Sequence, residues 1–138
     1  TFGMWWVYFD FVARRPPKSG TGWIFSWGYL HMPLVMSVTA TAAGIMNAIA
    51  SEAAVLPFNV RLLICGSLAI SLAVIALLET TLRQEKDEPT HPRLSPGLKL
   101  VGATLALILG WFGGVGAIAL LSFLLILVAI QMSYGLLV

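Results

Sequence analysis

Two ionisable side chains stand inside apolar stretches of the sequence, where an ionised group is costly. Asp10 lies in Trp5-Trp6-Val7-Tyr8-Phe9-Asp10-Phe11-Val12, and His31 lies in Tyr29-Leu30-His31-Met32-Pro33-Leu34. Ionisable residues within membrane segments are candidates for function by default. A histidine beside a carboxylate can exchange a proton near neutral pH. Pro33 has no backbone N–H, so it frees the carbonyl of Tyr29 and adds a local acceptor. Asp10 and His31 could thus form the kernel of a proton or cation relay, with Tyr8, Tyr29 and Asn47 as further polar candidates. Each has a plainer reading. Arg14 stands four residues after Asp10 on the same helical face and can pair with it. His31 can be a packing residue or an interfacial one. Tyr29 fits an interfacial belt of aromatics with Trp5, Trp6, Trp23 and Trp27, and Asn47 can hold helices together as a buried amide.

The elements that must position these residues follow from composition. Of 138 residues, 59% are apolar and 10% charged, against roughly 45–50% and about 25% in a soluble domain. A chain this short has too few polar residues to cover a soluble surface, and it is too apolar to be disordered. The expected class is all-α, a multi-pass transmembrane bundle. Lipid-facing backbone must satisfy its own hydrogen bonds, so each apolar run is read as a helix.

Five runs are expected. The first, Thr1–Ala13, is too short for a span of roughly 20 residues and ends at the Arg14-Arg15-Pro16-Pro17-Lys18 break. The second, Trp23–Ser51, is either one long helix bent at Pro33 or an interfacial stretch followed by a span. The third covers about Val60–Leu82, the fourth about Gly97–Trp111 and the fifth about Val115–Leu137. Phe112-Gly113-Gly114 should turn the last two into an antiparallel hairpin. Ala40, Gly44 and Ala48, and likewise Ser67 and Ser71, mark close-packing faces. Glu79 and Arg83 read as a local pair at a helix end, and Glu52 as wetted. Arg61 reads as snorkelling to the interface. The chain opens and closes in apolar runs, so 1–138 reads as a single membrane region from a longer multi-pass protein, with further N-terminal helices as partners.

Orientation follows from the positive charges. Seven of the eight Lys/Arg, all but Arg61, fall beside the first and third breaks. By the positive-inside rule, loops 14–22 and 83–96 are cytoplasmic. The bilayer is the expected partner. The basic residues make no clustered face for nucleic acid. No metal site is expected from two distant histidines and one cysteine, Cys65. There is no phosphate loop or nucleophile elbow, so neither an enzyme nor a cofactor is expected. Nothing specifies an oligomeric state.

Trp5-Trp6-Val7-Tyr8-Phe9-Asp10 resembles the Trp-Trp-x-Tyr-Phe-Asp motif of the bacterial low temperature requirement A (LtrA) family. Tyr29-Leu30-His31-Met32-Pro33-Leu34-Val35 resembles that family's His-Leu-Pro-Leu stretch, about twenty residues on. Ala42–Gly44 and the following apolar helices are also similar, and the resemblance extends over essentially the whole chain. The family commonly has an acidic residue just after the glycine of the second segment, where this chain has Met46 and Asn47. The resemblance implies a bacterial inner-membrane protein and makes Asp10 and His31 motif positions. It supplies no substrate. Two functions remain open on these residues: a proton- or ion-coupled transporter, and a non-transporting scaffold or lipid-interacting protein linked to growth in the cold.

Overall fold

A computed structural model describes residues 2–51, 54–83 and 94–137. Glu52, His91 and most of the 83–96 loop lie outside the described residues. The chain opens with α1 (Phe2–Tyr8), which passes directly into a π-helical turn (Phe9–Ala13). Then follow α2 (Thr21–Ala50), α3 (Phe58–Thr81), α4 (Leu94–Phe112) and α5 (Ala117–Leu137). There is no strand among the described residues, and four helices, α2 to α5, are long and apolar enough to cross a membrane. Helix α1 and its π turn together rise only about 18 Å at 1.5 Å per residue, short of a bilayer core of roughly 30 Å. The expected architecture of four full spans and one partial one is therefore present.

The second run forms one long helix, since α2 passes through Pro33 without a break. Its start is set by Gly20, whose φ of +131° is a backbone state essentially restricted to glycine.

Helix α3 is the central element, packing on α2 along one side and α4 along another, while α1 rests on α5. The α2 face that meets α3 reads Leu34, Ser37, Thr41, Gly44 and Ala48, all buried, at the three- and four-residue spacing of one helical stripe. Ala40, expected on that stripe, lies beside it. A Cβ on Gly44 would stand 2.6 Å from the Ile64 side chain, so glycine is what lets the two helices approach. Two hydroxyl pairs cross the same seam, Ser37 to Ser71 and Thr41 to Ser67, each at 2.8 Å. With lipid tails as apolar as leucine, such close packing and polar contacts are what hold spans together.

The two ends of the bundle are tied differently. At one end, the loop after the π turn docks on the end of α3. Lys18 N–H donates to Thr81 O at 2.8 Å, and Arg83 N–H to Pro16 O at 3.1 Å. The first and third breaks therefore meet at one end, as antiparallel spans require. At the other end, Leu56 N–H donates to Val115 O at 3.2 Å. Arg61 is also there. It is buried rather than snorkelling, and its Nε–H donates to Gly110 O at 2.9 Å. That carbonyl belongs to the last turn of α4, which has no intrahelical partner for its oxygens and attracts a cation.

Candidate functional site

The π turn and the residue before it aim their side chains at different helices. A π turn inserts an extra residue per turn and often marks a functional site. Tyr8, just before it, reaches α2. Asp10 stays local and faces α5. Phe11 points inward between α3, α4 and α5.

The phenol oxygen of Tyr8 lies 2.7 Å from His31 Nε2. His31 Nδ1 lies 2.6 Å from Trp27 O. A carbonyl can only accept, so Nδ1 carries a proton, and in the neutral ring the Tyr8 hydroxyl donates to Nε2. The ring is further held edge-on to Tyr8, with centroids 5.5 Å apart, and tilted against Trp27 at 4.5 Å. His31 uses the carbonyl of Trp27 rather than that of Tyr29, which Pro33 frees. Tyr29 itself is exposed and stacks on Phe25. Asn47 is exposed too, and its amide donates to Ala43 O one turn back. Neither joins the Tyr8–His31 pair.

Asp10 pairs with Arg14 at 3.2 Å across one helical turn. The carboxylate is largely buried and the guanidinium largely exposed. On its far side is Gly135 of α5, where a Cβ would run into Asp10 Oδ2, so the missing side chain makes room for the carboxylate. His31 bonds to Tyr8 and Trp27, and Asp10 to Arg14, so the two motif positions belong to separate networks.

A third network is absent from the expectations above. Lys99 of α4 is fully buried, with Nζ 2.6 Å from Glu79 Oε1 on α3. Ser95, one turn before Lys99, accepts from Lys99 Nζ at 2.8 Å and donates to Glu79 Oε2 at 2.9 Å. The ammonium also lies 3.5 Å from the centroid of the Phe11 ring, a cation–π contact in a dry setting. Phe11 in turn stacks on Tyr134 of α5. Glu79 therefore pairs across helices rather than with Arg83, and Lys99 is a core residue rather than a loop cation. The signal was present in the spacing. Ser95, Lys99, Gly102, Ala106 and Gly110 recur every three or four residues, and all are buried. Lys99 thus occupies the same small-residue stripe that faces α3. It was obscured because helix α4 begins at Leu94, a turn earlier than the apolar run suggests. Among the described residues, no cluster of His, Cys, Asp and Glu could hold a metal ion.

Residues 1–134 match the family of bacterial low temperature requirement A proteins (LtrA). The chain belongs to the LtrA family. No curated protein matches the chain, and no solved structure does. Membership spans nearly the whole chain and includes both motif strings. In this LtrA protein those strings therefore lie on α1, its π turn and α2, and they meet through Tyr8 and His31.

Proposed function

We propose that this LtrA protein is a proton- or ion-coupled transporter of the bacterial inner membrane, with the basic ends of the first and third breaks on the cytoplasmic side. The observation that carries this reading is the Tyr8–His31 hydrogen bond. It holds an imidazole within an apolar span, bonded at both ring nitrogens, beside a π turn that carries the Asp10 carboxylate two residues on. Histidine is the side chain whose charge changes most readily near neutral pH. Tyr8 and His31 form the bonded part of the relay, and Asp10, bonded to Arg14 and not to His31, is its separate carboxylate; no covalent step is involved.

A second reading is favoured by the Asp10–Arg14 pair, because a carboxylate neutralised within its own turn suits a packing pin in a non-transporting scaffold. Proteoliposomes carrying the intact protein separate the two. With a pH-sensitive dye trapped inside, the wild type should pass protons under an imposed gradient, and Asp10→Asn and His31→Ala should each abolish most of that flux. Wild-type flux in both variants would remove the relay. A wild type that passes nothing would favour the scaffold.

A further inference from the structure

We infer that the furrow between α2 and α3 is a binding site for one anionic phospholipid of the surrounding bilayer, with its phosphate held at Lys18. This proposal is independent of whether the protein transports anything. Antiparallel α2 and α3 leave a groove open toward the membrane along their shared side. At the Lys18 end it widens to about 510 Å³, bounded by Trp23, Tyr29 and Leu30 on α2 and by Leu77 and Thr80 on α3. Farther along the same two helices lies a second cavity of about 450 Å³, lined by Pro33, Met36, Leu63 and Ile70 among others. Leu30 to Ala40 spans about 15 Å of helix, enough to seat the upper part of an acyl chain lying along the two helices.

Charge decides which end takes the headgroup. No charged residue lines the end stretch, the middle stretch or the separate apolar cleft of about 280 Å³ beside Gly3, Thr41 and Val128, so the distinction rests on a cation at a rim. The end stretch has Lys18 fastened to its rim. Lys18 Nζ donates to Thr80 O at 2.7 Å and sits 4.7 Å from the centroid of the Trp23 ring, and Thr80 and Trp23 both line the furrow. An ammonium has three donors. One is used by Thr80 O, so donors and a full positive charge remain for a phosphate oxygen. The loop is held in place by Lys18 N–H on Thr81 O, and the Arg83–Pro16 bond keeps Arg83, exposed, beside it. Tryptophan and tyrosine at this level suit the headgroup boundary, where one side of the ring is wet and the other apolar. A fixed cation over an apolar slot fits a lipid with a net negative phosphate better than a zwitterionic one, whose own cation would compete for the same rim.

The test uses the intact protein in vesicles with spin-labelled phosphatidylglycerol or phosphatidylcholine, read as the motion-restricted fraction. The wild type should select phosphatidylglycerol about fivefold, the factor that one lysine near an anionic surface supplies. Lys18→Gln should bring selection close to unity, and Lys18→Arg should keep it. Leu30→Trp, which fills the furrow and leaves every charge in place, should also lose it. Equal binding of both lipids by the wild type would overturn the proposal. So would selection that survives Lys18→Gln. Selection that survives Leu30→Trp would overturn it as well, because a diffuse layer of charge would then suffice.

Discussion

Two ion pairs flank the π turn, and they differ in almost everything except their chemistry. Asp10–Arg14 spans one turn of the same segment at 3.2 Å, with the Arg14 side chain 75% exposed. Glu79–Lys99 joins two spans at 2.6 Å, with the side chains 5% and 1% exposed. The first keeps its guanidinium in water, which screens its attraction for the largely buried carboxylate. The second has given up its water altogether and replaced it with Ser95 and the face of Phe11. The lesson is that the strength of a pair here follows the packing around it, not the spacing of its partners along the chain. A buried pair is not automatically a gain, because desolvation can exceed the Coulomb attraction. What it creates is mutual dependence: neither member can be lost alone without stranding the other.

That dependence gives the largest expected effect. Lys99→Met leaves the Glu79 carboxylate buried against Ser95 with no cation, and it should lower unfolding stability by about 3–5 kcal/mol. Glu79→Leu combined with Lys99→Met removes both charges and should recover most of that loss. Equilibrium unfolding in bicelles of the wild type, both single variants and the double variant closes the cycle. If the double variant is as unstable as Lys99→Met, packing and not the pair was lost.

The same contrast explains what could be read from sequence. Composition and apolar runs were enough for an all-helical bundle with four spans and a short first helix, because lipid leaves the backbone few alternatives. The Asp10–Arg14 pair was legible because i,i+4 geometry is local. The small-residue faces were legible too, since Gly44, Ala48, Ser67 and Ser71 repeat on a helical period, and the hydroxyls do meet across the α2–α3 seam. Tyr8 and His31 could be nominated but not paired in advance, because their contact depends on how α1 and its π turn lie against α2. Glu79 and Lys99 escaped because each sits near a helix end, where a charge is normally solvated. The two are twenty residues apart in sequence, and only the registry of α3 against α4 makes them core residues.

Between the two ion pairs in exposure lies the half-buried Tyr8–His31 contact, and its loss should be intermediate. Tyr8→Phe removes one hydroxyl and leaves Nε2 without its partner at 2.7 Å. The expected destabilisation is about 1 kcal/mol in the same unfolding experiment. Nitrogen chemical shifts of the imidazole provide a second readout. Nδ1 should remain the protonated nitrogen because the Trp27 carbonyl that faces it can only accept, while the Nε2 signal should move. A shift at both nitrogens would mean that Tyr8, rather than Trp27, sets the tautomer.

The smallest effect should come from the exposed end of the comparison. Arg14→Ala removes a guanidinium that is mostly in water, so it should change stability by only about 0.3–0.5 kcal/mol, and added salt should erase even that difference. The Asp10 carboxylate it leaves behind is 14% exposed, which makes this the informative member of the pair to delete. If Arg14→Ala instead costs as much as Lys99→Met, Asp10 is effectively a buried charge neutralised by Arg14, and the two pairs are alike. Stability that is unchanged, joined to altered proton flux, would point the other way. Asp10 would then be poised rather than pinned, with Arg14 holding its charge at the wet end of the π turn.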